Sequence, residues 1–387
     1  MASVAYARGA QLAALHATLV ALRSHAAEAT VKHPAPVAEL DAAKHQLRDW
    51  IEAQLDSLKD LDTNAAFEHR VNEALKPVSV TVGNDEQNLL GTLGQVRLGS
   101  ESGVLTVITA VGIFCQYDMS AYAYQLVNGH WKRVWESEQD AAKDYAPQHL
   151  IAVHVLQPFH EGGESGPIYV MTLGNEWGCA SNWHSVYYRV WRVDASRTKL
   201  LIDGSGFAWL RTDLYAVGRI AQDGSDAPVD VLVEFTESSV DAGVHAREAV
   251  GHFLIEGDKV RRVDPVALSP RDFVDEWLTQ GWKASADWSG SPALESWHRR
   301  LHRDDVFGDF IRPTTHCETP DLWQVGFEPQ DAERDFAPES DVYFLVRWRP
   351  PYHFTIFDIN SEPWPDCTQE DPEADEWRTL FPIQGWR

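Results

Sequence analysis

Three groups of residues have the types and spacing that bond metals or move protons. In ALESWHRRLH, Glu295, His298 and His302 lie three and four apart, so on a helix they share one side. An acid and two imidazoles suit Zn²⁺, with His316 or Cys317 as a further ligand, but no HExxH is present. An ordinary solvated helix explains the same residues, with Leu294, Trp297 and Leu301 turned inward. The expectation is no metal and no other cofactor, with Glu295, His298 and His302 as the weak candidates.

The second group is FHEGGES (159–165), where His160, Glu161 and Glu164 accompany two glycines in the manner of a general-base loop or a polar hairpin loop. The third is spread over three connections: Tyr117 and Asp118; Glu176, Trp177, Trp183 and His184; and Asp241, His245 and Arg247. Each set precedes one copy of a repeated hairpin. If equivalent loops leave the same rim, these aromatics, acids and imidazoles form a surface for a polar ligand or partner. The alternative is that each packs against its own sheet.

Other signatures are missing. No GxSxG, GxxxxGK[ST] or GxGxxG run stands between a strand and a helix. The acidic run PDCTQEDPEADEW (365–377) reads as solvated surface, with weak calcium binding as the alternative. With 33 basic residues against 58 acidic and a net charge of -25, the chain is expected to avoid nucleic acid. No stretch is apolar for long enough to predict a membrane span. Polar residues (Gln11, His16, Thr18 and Arg23) interrupt the first 25 positions and the apolar ones recur at helical spacing, so the stretch reads as a mature helix rather than a signal peptide. A soluble protein is expected, either cytoplasmic or exported after loss of a signal. The four cysteines form no CxxC pair; Cys115 with Cys179 and Cys317 with Cys367 is one arrangement, and four buried thiols is the other.

Residues 9–75 read as helices. Leu12, Leu15, Leu19 and Leu22 trace one stripe, and Leu40, Leu47, Ile51, Leu55 and Leu58 trace a second, with a third segment ending before Pro77. Beyond Pro77 the pattern turns to short β-like runs. The hairpins 121–137, 186–202 and 249–265 turn near Gly129, Ala195 and Gly257, roughly every sixty residues. Each follows two more runs: 93–99 and 104–112, 150–156 and 167–174, 213–220 and 229–235. A four-stranded sheet with two apolar faces cannot bury both alone, so such units must stack.

A fourth, degenerate unit comprises 321–327, 342–349 and 352–359. It lacks one strand, which SVTVGN (79–84) would supply to close a ring and hide an edge. Before it lies a helical insertion (268–304), capped by Ser269 and again by Ser291, each followed by proline. The fold expected is mainly β. It consists of repeated four-stranded antiparallel sheets, propeller-like with about four or five blades, an N-terminal helical segment (1–76) and a β domain (77–387) that carries the insertion. A β-sandwich or an open sheet stack is the alternative.

Such a scaffold predicts a non-catalytic binding or interaction protein whose rim loops recognise a protein, a peptide or a polar small molecule or glycan. The competing expectation is a hydrolase or lyase with an acid–imidazole cluster in the same cleft, acting on glycans.

Overall fold

The computed structural model describes residues 2–55, 57–58, 64–82, 88–138, 148–158, 166–176, 183–194, 197–209, 216–223, 227–241, 247–302, 308–329, 341–350 and 352–375. The chain divides into two compact units, Met1–Ser205 with Ile220–Pro228, and Gly206–Arg219 with Val229–Arg387.

The first unit opens with three helices, α1 (Ala2–Ser24), α2 (Val37–Leu55) and α3 (Asn64–Leu75). The two leucine stripes become their buried sides: Leu15, Leu19, Leu22, Leu40, Leu47, Ile51 and Leu55 are all at most 1% exposed. Next comes an antiparallel meander in the order β1 (Arg97–Glu101), β2 (Val104–Ile113), β3 (Gln116–Val127) and β4 (His130–Glu136). The β3–β4 turn takes Asn128 at φ 53° and Gly129 at φ 80°, the left-handed pair that a two-residue hairpin loop requires.

β2 is buried along its whole length, and its alternation sorts its side chains into two cores. Leu105, Val107, Val111 and Ile113 join Tyr122 and Tyr124 of β3 against the three helices. Val104, Ile108 and Ala110, with Met119, Ala121 and Ala123, face the second sheet. That sheet runs β5 (His149–Leu156), β6 (Ile168–Glu176), β7 (Trp183–Asp194) and β8 (Arg197–Trp209) in order. Its Leu150, Val155, Val170, Tyr187 and Val193 complete the shared core. Both faces of the first sheet are thus covered within this unit, by helices on one side and by the second sheet on the other.

A third sheet contains β9 (Ala216–Gln222), β10 (Val229–Glu237), β11 (Arg247–Glu256) and β12 (Lys259–Arg262), again in chain order. The insertion follows. Ser269 accepts the Asp272 backbone N–H and caps α4 (Pro270–Thr279), with proline in the first turn as its spacing predicts. A short α5 (Trp282–Ser285), two 3₁₀ turns and α6 (Glu295–Leu301) complete it. Phe273, Val274, Trp277, Leu278, Trp288, Leu294 and Leu301 pack on the fourth sheet through Phe327, Phe344, Val346, Phe354 and Ile356.

The fourth sheet corrects the sequence reading. Its missing strand is β13 (Gly308–His316), which pairs with β14 (Leu322–Pro329). β15 (Val342–Arg349) and β16 (His353–Asn360) follow, and β17 (Gln369–Glu370) adds to the other side of β13. Pro313 lacks an N–H, and the β13–β14 register shifts between Ile311 and Thr315, so the alternation that betrays a strand is broken there. Residues 79–82 form no strand. Val80 N–H donates to Gly91 O at 3.1 Å and Leu93 N–H to Ser79 Oγ at 2.9 Å. Positions 83 and 84 lie outside the described residues.

Cys317 and Cys367 form a disulfide within the second unit. Cys115 is disulfide-bonded too, to a partner outside the described residues. No helix among the described residues is long and apolar enough to cross a membrane.

Candidate functional site

The residues singled out by type end up in different settings. Tyr117 and Asp118 are consecutive on β3, so they leave opposite faces. Tyr117 is half-buried in the core between the first two sheets, whereas Asp118 points to the helices and is 1% exposed. There Lys44 Nζ meets Asp118 at 3.1 Å and Asp41 at 3.2 Å. The rest of this face of α2 continues the polar seam. Glu138 receives Arg48 at 3.3 Å, His45 Nε2 at 2.7 Å and the Tyr122 hydroxyl, and Glu52 accepts from Tyr124 at 3.1 Å and Arg133 at 3.0 Å. Burial, then Glu138, pushes the Tyr122 hydroxyl well above the usual tyrosine range. Burial also raises Asp118, with Lys44 offsetting part of the effect. These charges are used in docking α2 onto β3.

His184 is buried at the start of β7. For Glu176 and Trp183 only the backbone is described, in β6 and β7. Trp177, His245 and the FHEGGES stretch lie outside the described residues.

Arg247 belongs to the second unit and is 1% exposed. Its guanidinium reaches Asp275 at 2.8 Å, Glu276 at 2.5 Å and Glu237 at 3.3 Å, so β11, α4 and β10 meet on one cation. Arg262 adds a 2.6 Å pair to Glu276, and Ser239 Oγ and Val240 N–H donate to Asp275. Asp241 is held separately by Arg312 at 2.5 Å. Burial drives the acids up, Glu237 to about 7 and Asp272 to about 6. Glu276 alone is held below the usual range, because Arg262 and Arg247 outweigh its burial. Its Nε and Nη2 are committed to carboxylates, and Nη1 is buried without a hydrogen-bond partner among the described residues, so the guanidinium serves packing within the unit and presents no edge to solvent.

Of the weak metal candidates, His298 and His302 are brought together, their rings stacked with centroids 4.8 Å apart, but their nitrogens are used on backbone carbonyls. His298 Nε2 bonds Gln280 O at 2.9 Å and Trp277 O at 3.2 Å, and His302 Nδ1 bonds Leu278 O at 2.7 Å. Both imidazoles therefore satisfy carbonyls at the C-terminal end of α4, which a helix leaves unbonded. Glu295 turns away to Arg299 at 2.8 Å. Among the described residues, no group of three or more His, Cys, Asp or Glu side chains is arranged to hold a metal ion.

The open space lies elsewhere. A cleft of about 540 Å³ sits between the first two sheets at the end where their hairpins turn. Gln125 and Val127 of β3, Lys132 to Val134 of β4, Gln157, Pro167, Ile168 and the end of β7 line it. Gln125 Nε2 donates to Gln157 Oε1 at 3.1 Å, bridging the two sheets at its wall. Among its described lining residues the one acid, Asp194, is ion-paired with Arg192 at 3.2 Å and Arg197 at 3.7 Å. In this unit the cleft is at the opposite end of the sheets from Tyr117 and His184, which stand at the starts of β3 and β7.

Sequence reasoning passed over this cleft because glutamine, valine and lysine beside a tight turn carry no chemical signature. It also passed over Glu234, a carboxylate in the apolar run VDVLVEF that is 3% exposed. A charged residue at an inward position of a strand was a usable signal. Burial, then Glu248, pushes Glu234 up to about 8; burial, then Asp272, pushes Glu248 up to about 7.

No family model matches the chain, and a search of curated proteins finds no match.

Proposed function

We propose that the protein is a non-catalytic binding protein whose ligand seat is the cleft between the first two sheets, and that the ligand is a polar small molecule or a short glycan. The observation that carries this reading is the cleft itself: about 540 Å³, within the range of roughly 300–1,000 Å³ usual for ligand sites. Its walls combine apolar patches from Val134, Pro167, Ile168 and Val193 with a few polar groups. Gln125 and Gln157 use one amide donor and one acceptor on each other, leaving the Gln125 oxygen and the Gln157 amide protons for hydroxyls of a ligand. Lys132 adds a positive charge that makes no ion pair among the described residues. Hydrolase or lyase chemistry has less support there, since the described lining has no imidazole and its one acid is already ion-paired.

Ligand-observed NMR with a library of oligosaccharides and polar small molecules tests the reading. A hit should lose at least tenfold in affinity when Gln157→Trp fills the cleft, with the circular dichroism spectrum unchanged. Hits that bind this variant as tightly as the parent, or a library with no hit, would overturn it.

A further inference from the structure

In the third sheet, Thr236 of β10 stands directly opposite Glu248 of β11, and Glu234 stands opposite Val250. Strand alternation puts Glu234, Thr236, Glu248 and Val250 on one face. The apolar members of that face, Leu232 and Val250, pack with Leu268. Three polar members have no such match: Glu234 Oε1, Thr236 Oγ1 and Glu248 Oε2 are all buried and make no hydrogen bond among the described residues.

Three orphaned oxygens in adjoining register positions are unusual, because buried acceptors are normally bonded. The nearby cationic groups are committed elsewhere: His252, opposite Leu232 on the same face, bonds Asp230 at 2.9 Å and the Asp264 carbonyl. Arg247 holds Asp275, Glu276 and Glu237, Arg262 holds Glu276 and Val250 O, and Arg271 stands by Asp272. Directly opposed side chains start roughly 5 Å apart and diagonal ones roughly 7–8 Å apart, so two glutamates and a threonine can bring their oxygens to one point.

The geometry points to a hard-cation site of the calcium class on this face, with Glu234, Thr236 and Glu248 supplying oxygen ligands. Oxygen donors without nitrogen or sulfur select hard cations, and Ca²⁺ accepts irregular shells where Mg²⁺ demands a near-ideal octahedron. Two carboxylates are few for a calcium ligand set. Affinity should therefore fall in the weak range, with Kd roughly 10⁻⁴–10⁻³ M.

The full chain, freed of divalent ions by chelation, is titrated with CaCl₂ in a calorimeter, and its melting is followed with and without Ca²⁺. Wild type should bind one Ca²⁺ in that range and melt higher with it. Glu248→Gln, at a half-buried position, should weaken binding at least tenfold and abolish the melting shift, and Glu234→Gln should do the same. Glu362→Gln, on exposed surface, should change neither and controls for loose association with an acidic protein. The proposal falls if Glu248→Gln binds Ca²⁺ as wild type does. It falls equally if wild type shows neither heat nor a melting shift up to about 10 mM, which would leave buried water as the partner of these oxygens.

Discussion

Replacing Arg247 by methionine removes the one cation that Asp275, Glu276 and Glu237 share. Glu276 retains Arg262 at 2.6 Å, so the acid most exposed to the loss is Asp275. Ser239 and Val240 still donate to Asp275, but no positive charge pairs with it, and burial already raises its carboxyl. In the variant the cheapest course is protonation on folding. Moving an aspartate from an unfolded pKa near 3.9 to full protonation costs about 1.4 kcal/mol per pH unit. That sets upper bounds of about 5 kcal/mol at pH 7.5 and about 2 kcal/mol at pH 5.5, since wild type with its raised carboxyl already bears part of the cost. The roughly 3–5 kcal/mol typical of breaking a buried pair falls within the first. The sign follows from a folded pKa raised above the unfolded one: the penalty is absent below about pH 4 and grows as pH rises. Urea unfolding followed by tryptophan fluorescence, on wild type and Arg247→Met at both pH values, measures the difference. A loss below about 1 kcal/mol, or one equal at the two pH values, would refute the reasoning.

Asp118→Ala should cost about 3 kcal/mol by the same assay, since Lys44, 1% exposed, would lose its fully buried counter-charge. If Asp118→Ala unfolds like wild type, the seam beneath α2 is not a stabilising clamp. Replacing Cys317 and Cys367 by serine opens a loop with a sequence separation of 50, for which chain entropy sets a loss of about 4 kcal/mol. Thiol titration of denatured wild type should find neither of these two cysteines free. Ser269→Ala should destabilise by about 1 kcal/mol through loss of the α4 cap, with the spectroscopic helix content little changed.

The repeat was legible because turn residues and apolar alternation both recur along the chain. Asn128–Gly129 and Gly257 sit at the predicted hairpin tips with positive φ, and the twelve strands of the first three sheets follow the runs read from sequence. The fourth sheet was not fully legible, since Pro313 and a register shift disguise β13. Pairing between distant residues was the harder problem. Lys44 is an unremarkable helix residue until Asp118 arrives beneath it, and Arg247 looks like a loop charge until α4 delivers Asp275 and Glu276. His298 and His302 show the converse. Their spacing put them on one side of a helix, but that side meets the end of α4, whose bare carbonyls compete for the imidazoles. Residue type marks what can be bonded, and the partner is decided by packing.

Stacked sheets have a problem at their ends, where a greasy plane faces water and invites a second molecule to continue the pile. In this chain α1 to α3 lie over Leu105, Val107, Val111, Ile113, Tyr122 and Tyr124 and do for the first sheet what a terminal cap does for a solenoid. Without its opening seventy-odd residues the remaining polypeptide would present that plane bare, and self-association into insoluble chains of molecules would be its natural fate.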